Sequence, residues 1–289
     1  MKVLVVGDVM LDVVVRPEGP LAPTSDTPSR VRIARGGSGA NLAVALAGAH
    51  EVTYVGAVGP DRAGEMWRDE LAARGVRARL QEVEVPTGVV VALVDESGQR
   101  AMYTDRGANL HLSRDFVLSV LDEGFEHLHV SGYSVLESAT REVAVAALAH
   151  TRRHAATTSV DVCSVGPLVT LGAELFADVV RGVDFLFANE EEARALGAGD
   201  LDDEFTQLQA LAREGMVTRG AAGSLAWSEG AVWIAASEAT SVIDTTGAGD
   251  AATGAFLSAR LRGDPVGSAL LAAMASAAEV VGFLGASRS

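Results

Sequence analysis

Short apolar segments alternate with longer helix-like segments through much of this chain, and this alternation limits its fold more than any other feature. The segments "HLHVSG" (127–132) and "TTSVDV" (157–162) have the length and composition of buried strands, and a helical pattern over 138–153 separates them. Strands that alternate with helices usually form a parallel sheet with both faces covered. We therefore predict an α/β fold with a central, mostly parallel sheet flanked by helices on both faces.

Two segments interrupt the alternation. Residues 12–35 and 87–105 contain strand patterns with one face suited to water, and the second segment is predicted to turn as a hairpin at 96–98. They are expected to form a small second sheet that acts as a lid or a dimer surface.

Residues 203–215 are predicted to be helical. The length suits one domain, residues 1–289.

The overall charge and composition exclude several classes of function. The formal net charge is −15, which argues against nucleic acid or an anionic membrane surface as partner. The one cysteine, Cys163, excludes an internal disulfide and a multi-cysteine metal site. No apolar run reaches the length of a membrane span or a signal-peptide core, so a cytoplasmic location is expected.

The scarcity of lysine is more informative. Lys2 is the only lysine in the chain. A Walker-type phosphate loop and the phosphate-binding strand of a protein kinase both need a lysine, so neither can be built here. Any nucleotide phosphates must be bound by backbone amides and arginine.

Two glycine turns precede helical patterns: "GGSGAN" (36–41) and "TTGAGD" (245–250). A helix N-terminus presents unpaired N–H groups and a positive dipole end, which suit an anion. Asp250 in the second turn is either a helix cap or a base held beside a bound phosphate. "GAGDAA" also fits a dinucleotide-binding fingerprint, but only helices follow it, which disfavours an oxidoreductase.

Seven motifs occur in the order found in one family: "GGSGANLAVALA", "GAVGPDRAGE", "PTGVVVALVDESGQR", "RGAN", "NEEEA", "VTRGAAGS" and "DTTGAGDAATGAF". On these motifs the chain resembles the ribokinase-like (PfkB) carbohydrate kinases from its first strand to its last helix. The resemblance implies a ribokinase-like fold with a small β-sheet lid. It also implies transfer of the γ-phosphate of ATP to a hydroxyl group.

The resemblance assigns roles to the second glycine turn. Asp250 corresponds to the family's catalytic base, which takes the proton of the attacking hydroxyl, as a base within hydrogen-bond reach can do. Gly247, Ala248 and Gly249 correspond to an anion hole for the transferred phosphoryl group. This implied role competes with a plain helix cap.

The resemblance also implies two ions. Asn189 and Glu192 in "NEEEA" match the residues that organise Mg²⁺ and its waters. A solvated acidic helix start is the alternative, and it is favoured for Glu190 and Glu191. Asp244 and Thr246 match positions where some members bind a monovalent cation such as K⁺.

Further matched positions line the two substrates. The nucleotide border corresponds to Thr218, Gly220 and Gly223. The acceptor-binding residues correspond to Asp12, Gly36, Gly37 and Asn41.

Three positions depart from the ribokinase pattern. Met10 stands where ribokinases usually have Asn, Ser38 where they have Lys, and Tyr133 where they place a sugar-binding Glu. Tyr133 and Met10 favour a partly apolar acceptor face, suited to a nucleoside base or a deoxy sugar. Arg106 in "RGAN" is either a ligand of a carboxylate or phosphate, as in ketodeoxy-sugar acid kinases, or a surface arginine.

Other conspicuous residues favour structural roles. His127 and His129 share one strand face without a third metal ligand, so packing is predicted. Cys163 is predicted to be a structural thiol near the ligand-binding edge of the sheet. Trp227 and Trp233 are predicted to pack or to border the nucleotide pocket.

These observations predict a cytoplasmic, ATP-dependent kinase of a small sugar or sugar acid that dimerises through its lid. A nucleoside kinase of the same fold is the first alternative. A non-catalytic sugar-sensing relative is the second, although the intact motifs argue against it.

Overall fold

The computed structural model describes residues 1–95, 100–199, 206–237 and 247–281. The predicted turn at 96–98 and the cation positions Asp244 and Thr246 lie outside these residues. The described strands are β1 (Lys2–Val6), β2 (Met10–Pro17), β3 (Ser29–Gly36), β4 (Glu51–Val58), β5 (Arg77–Glu82), β6 (Gly88–Val94), β7 (Arg100–Asp105), β8 (His127–Ser131), β9 (Thr157–Asp161), β10 (Val183–Asn189), β11 (Ala212–Thr218), β12 (Ser224–Ser228) and β13 (Ala231–Ala235).

The helices separate most of these strands. They are α1 (Ser38–Ala47), α2 (Arg62–Ala73), α3 (Arg114–Leu121), α4 (Tyr133–Leu136), α5 (Arg141–Arg153), α6 (Val165–Leu171), α7 (Ala173–Val180), α8 (Glu190–Ala195), α9 (Thr206–Leu211), α10 (Ala248–Leu261) and α11 (Val266–Val281).

A large sheet forms the centre of the molecule, with the order β13–β12–β11–β10–β9–β8–β1–β4–β5. From β11 to β5 the neighbouring strands are parallel, and β12 and β13 add an antiparallel edge. Alternate residues of β1 enter opposite cores: Val3 and Val5 join α1, α10 and α11, whereas Leu4 and Val6 join α3 and α5. The predicted α/β class with both sheet faces covered is confirmed.

A second, four-stranded sheet has the order β3–β2–β6–β7. Its strands match the segments 12–35 and 87–105 that were predicted to form a small separate sheet, except that β2 begins at Met10 and β3 ends at Gly36. The β2–β3 and β6–β7 pairs are antiparallel, and the central β2–β6 pair is parallel. Met10 joins this sheet to the body, because its carbonyl oxygen accepts the indole N–H of buried Trp67 at 2.8 Å.

The sequence prediction was wrong at one helix and omitted four elements. The helix predicted over 203–215 ends at Leu211, and β11 begins at Ala212. Packing decides this boundary: a side chain at Gly215 would meet Leu186 O and the Trp227 ring at 2.2 Å, so the segment fits closely between neighbouring strands. The omitted elements are β5, α3, α4 and α6.

Candidate active site

A cavity of about 640 Å³ opens between the carboxyl edge of the large sheet and the second sheet. Asp8 follows β1, Asp161 ends β9 and Asn189 ends β10, and all three line the cavity. Asp12 and Val90 line it from the second sheet. The strand order reverses at β1, because β4 and β5 extend the sheet on one side of it and β8 and β9 on the other. Ligands of α/β sheets bind at the carboxyl ends of the strands at such a switch point.

Asp250 lies in the first turn of α10 and faces the cavity. Both of its carboxylate oxygens accept hydrogen bonds from α1: Ser38 Oγ donates at 2.8 Å and Asn41 Nδ2 at 2.9 Å. Burial, together with the negative charges of Asp161 and Asp8, raises the pKa of Asp250 to about 7, and the two hydrogen bonds only partly oppose this. The side chain is thus fixed in direction and can exchange a proton near neutral pH.

The N-terminus of α10 fits the predicted anion hole. Gly247 precedes the helix with φ 76°, a left-handed conformation that glycine adopts without strain, and no side chain among the described residues caps this helix end. Gly247 and Gly249 line the cavity, and Ala248 starts the helix between them. The N–H groups of the first turn, which a helix leaves without intrahelical partners, therefore lie at the cavity wall.

Asp161 and the buried Glu192 form an acidic pair in the cavity wall, on the same side as α10. Burial and mutual repulsion raise the pKa of Asp161, and burial raises that of Glu192. Thr253 Oγ1 donates to Asp161 at 3.2 Å. Glu192 and Asn189 form a capping box at α8, in which each side chain binds the other's backbone N–H at 2.9 Å. The sequence motifs identify Asn189 and Glu192, but they do not identify Asp161.

The predicted nucleotide border is only partly at this cavity. Thr218, at the end of β11, lines it. Gly220 begins a short 3₁₀ turn, and Gly223 has φ 86° with Ala235 O only 2.0 Å from where a Cβ would lie. Neither glycine is among the described lining residues. The backbone geometry alone is enough to require a glycine at position 223. The nucleotide-binding role of Gly220 and Gly223 stays a prediction.

The first glycine turn makes room for acidic side chains. A Cβ on Gly36 would lie 2.0 Å from Asp12 Oδ1, so glycine at this position admits the Asp12 carboxylate. Gly37 has φ 102° and packs against the Asp8 carbonyl oxygen. Four of the predicted acceptor residues lie in β2, β3, α1 and the turn between β3 and α1, and three of them line the cavity: Asp12, Gly37 and Asn41.

Arg106 is buried in the cavity wall and is not a surface arginine. Its side chain is 13% exposed, and its guanidinium carbon lies 3.6 Å from the centre of the Tyr133 ring. Arg106 Nη1 lies 3.5 Å from Asp8 Oδ2, and Nε lies 3.3 Å from Glu137 Oε1. Arg106 and Tyr133 therefore both reach the predicted acceptor region, together with two carboxylates that sequence reasoning did not select.

Cys163 also lines the cavity, at a point the sequence placed near the ligand-binding edge. Its thiol lies 3.6 Å from Ser38 Oγ and 3.5 Å from Ser131 Oγ, and burial raises the thiol pKa well above its ordinary value. A protonated thiol is a weak nucleophile. This agrees with the predicted structural thiol.

The predicted structural residues lie in the core. His127 bonds Thr157 and Ser159, and His129 bonds Ser159, all at 2.8 Å with both rings fully buried. Trp227 is buried, and its indole N–H donates to Ala212 O.

Two findings concern the described residues as a set. They contain no group of three or more His, Cys, Asp or Glu side chains placed to hold a metal directly. Within the same residues, no helix has the length and apolar character that a bilayer span needs.

The molecule is an α/β protein with a second sheet over the cavity that holds the candidate site residues. The pfkB family carbohydrate kinase model matches residues 1–289, and the chain belongs to this family. It is therefore a kinase that transfers a phosphoryl group to an alcohol group. The resemblance seen in the motifs is confirmed.

Similar proteins agree with this assignment. The ATP-dependent ribose-1-phosphate kinase of Halopiger xanaduensis is 29% identical, over 99% of this chain and 93% of its own length. The ribokinase of Haemophilus influenzae is 28% identical, over 91% and 86%. A structure described as a ribokinase II from E. coli, in complex with ATP and Mg²⁺, has a TM-score of 0.87 at 22% identity and covers 99% of this chain and 94% of its own. The predicted ribokinase-like fold is confirmed.

Proposed function

We propose that the protein transfers the γ-phosphate of ATP to a hydroxyl group of a small sugar or sugar acid, with Asp250 as general base. One observation carries this proposal: a carboxylate with a pKa raised to about 7 lies at an open helix N-terminus, inside the main cavity, with both oxygens held by α1. A base and an anion site are thereby combined in one turn.

The reaction needs one proton transfer and one displacement. Asp250 takes the proton of the acceptor hydroxyl, whose oxygen forms a bond to the γ-phosphorus. The bond from that phosphorus to the β–γ bridging oxygen breaks, and ADP leaves. The backbone N–H groups of Gly247, Ala248 and Gly249 stabilise the negative charge on the transferred group, because they are positioned before the reaction begins.

The acidic pair fits a magnesium site. Mg²⁺ prefers oxygen ligands, keeps several waters and would offset the repulsion between Asp161 and Glu192. We assign its water-mediated binding to Asn189, Glu192 and Asp161. The ion would neutralise charge on the phosphates. A K⁺ site at Asp244 and Thr246 remains a proposal from the motif.

The two substrates are assigned to opposite parts of the cavity. The nucleotide would border Thr218, Gly220 and Gly223. The acceptor would contact the residues at the second sheet and α1, namely Asp12, Gly36, Gly37, Asn41, Arg106 and Tyr133.

The second sheet is proposed to act as a lid and as the interface of a homodimer. Side chains alternate across a sheet, so Val13, Ile33, Val91 and Tyr103 form one row on the face opposite Asp12. Ile33 is 60% and Tyr103 61% exposed. A second copy would cover this apolar row, and Ile33→Asp should convert a dimer to a monomer in sedimentation. A cytoplasmic location, where ATP is available, fits the proposed activity.

The decisive experiment is ATP consumption with Mg²⁺ and K⁺ across sugars, sugar acids and nucleosides. Asp250→Asn keeps the shape of the base and should lower kcat by about 10²- to 10⁴-fold while MgATP still raises the melting temperature. Asp264→Asn is the matched control, because Asp264 lies just beyond the other end of α10 in an exposed ion pair with Arg262. Near-normal turnover in Asp250→Asn would refute the role of Asp250.

The same panel separates the alternatives. Turnover only with nucleosides would favour a nucleoside kinase. Stabilisation by a sugar without ATP consumption would favour a sugar-sensing protein.

A further inference from the structure

We propose that Glu137 binds hydroxyl groups of the acceptor and that the pocket selects an uncharged, hydroxyl-rich sugar over sugar phosphates and sugar acids. This inference rests on the proposed kinase function and concerns the acceptor half of the same cavity.

Glu137 supplies a carboxylate close to Tyr133, the position at which this chain lacks the sugar-binding Glu of ribokinases. Its backbone N–H bonds Tyr133 O at 3.1 Å, so one helical turn separates the two residues and both side chains line the cavity. The Glu137 side chain is 33% exposed, which leaves part of the carboxylate facing the cavity. Together with Asp12 it can accept hydrogen bonds from sugar hydroxyls.

Arg106 is already occupied by protein groups. One guanidinium nitrogen faces Asp8, another faces Glu137, and the plane covers the Tyr133 ring at 3.6 Å. Asp8 is 5% exposed and accepts hydrogen bonds from Gly39 N–H and Ser131 Oγ, and Arg106 supplies the positive charge that a buried carboxylate needs. A phosphate that bound Arg106 would compete with Asp8 and Glu137 for its positive charge.

The remaining charges of the cavity are negative. Among the described residues, Arg106 is the only basic side chain that lines it. The carboxylates that line it are Asp8, Asp12, Glu137, Asp161, Glu192 and Asp250.

The segments outside the described residues contain few basic residues that could offset this negative charge. The segments 96–99, 200–205, 238–246 and 282–289 contain one basic residue, Arg288. Arg32 lies on the cavity side of the second sheet, in the row next to Asp12, about 7 Å along the strands. It is exposed, and it lies nearer to Asp12 than Arg16 and Arg30, which share this face of the sheet, so it is the arginine to test.

The cavity should therefore discriminate between acceptors by their charge. A neutral polyol donates its hydroxyl hydrogens to these carboxylates. A phosphate or carboxylate on the acceptor has no hydrogen to donate when ionised and meets Asp8, Asp12 and Glu137 at close range. Juxtaposed like charges disfavour a ligand by several kcal/mol, so discrimination of at least about tenfold in kcat/KM is expected.

The test compares acceptors that differ in charge. Ribose and 2-deoxyribose are measured against ribose 1-phosphate, ribose 5-phosphate and 2-keto-3-deoxygluconate, with ADP release as the readout. Neutral sugars should have the higher kcat/KM. Glu137→Gln removes the charge and keeps the shape, so it should shift the ratio of anionic to neutral kcat/KM upward by about tenfold.

The matched control is Glu142→Gln. Glu142 lies on α5 with 80% of its side chain exposed, so the same loss of charge outside the cavity should leave the ratio unchanged. Arg32→Gln should also leave it unchanged.

Two results would overturn the inference while the kinase function stands. One is a preference for an anionic sugar, whether or not Arg32→Gln abolishes it. The other is an unchanged ratio in a Glu137→Gln enzyme that still turns over. Absence of ADP release with every acceptor would instead count against the proposed function.

Discussion

Removal of the Ser38 hydroxyl should move the pH dependence of the enzyme. Ser38 Oγ donates to Asp250 Oδ1 at 2.8 Å and is one of two hydrogen bonds that favour the ionised carboxylate. Ser38→Ala leaves Asn41 as the remaining donor. The protonated form of Asp250 should then persist to higher pH.

The size of the shift follows from the strength of that hydrogen bond. A hydrogen bond to a charged group contributes about 1.5–3 kcal/mol, and one pKa unit corresponds to about 1.4 kcal/mol. The cavity is open, so water can replace part of the lost bond. We therefore expect a shift of about one unit, which would move the Asp250 pKa from about 7 to about 8.

The assay is kcat/KM against pH, which reports ionisations of the free enzyme. A general base must be ionised, so the rate falls as pH drops through its pKa. In Ser38→Ala this acidic limb should lie about one unit higher, with near-normal rates well above it. Ser164→Ala is the control, because Ser164 lines the cavity without a described bond to Asp250. An unshifted limb in an active Ser38→Ala enzyme would refute the reasoning.

Three further predictions concern stability in urea. Burial lowers the pKa of His127 to about 3, so below pH 6.5 the unfolded chain binds a proton that the native state excludes. As the pH falls below 6.5, the unfolding free energy of the wild type should therefore decrease by about 1.4 kcal/mol per pH unit more than that of His127→Gln. Parallel pH profiles of the two proteins would contradict this. Gly254→Ala would place its Cβ 2.5 Å from α1 and should cost about 1–3 kcal/mol, whereas Gly267→Ala, with its nearest neighbour at 3.4 Å, should not. Asn109→Ala removes bonds to the Val9 backbone at 2.8 Å and should cost about 1–3 kcal/mol, and an unchanged midpoint would dismiss that role.

The sequence by itself determined the fold class and the local form of the site. Strand and helix periods are short-range properties, so the alternation over 127–162 predicted covered parallel strands without any knowledge of their order. The two glycine turns were equally local: Gly247 needs a left-handed backbone, and the helix behind it follows within one turn. Asp250, Asn189 and Glu192 were found because their motifs are contiguous.

Tertiary structure decided what surrounds those motifs. Asp8, Asp161 and Glu137 are far apart in the chain, and only the order of the sheet brings the ends of β1, β8 and β9 to one edge. An acidic residue just after an apolar strand was the available signal for Asp8 and Asp161, but many such residues cap or face solvent. Nothing local distinguishes Glu137 from a surface glutamate.

Charge compensation and packing also depend on residues that are far apart in the chain. From the sequence, Arg106 could be either a ligand-binding residue or a surface residue. Its packing against the Tyr133 ring places it in the cavity wall. The end of α9 at Leu211 was decided by the close approach of Gly215 to its neighbours in the sheet. Helical propensity is worth a few tenths of a kcal/mol per residue, and pairing in a buried sheet outweighs it.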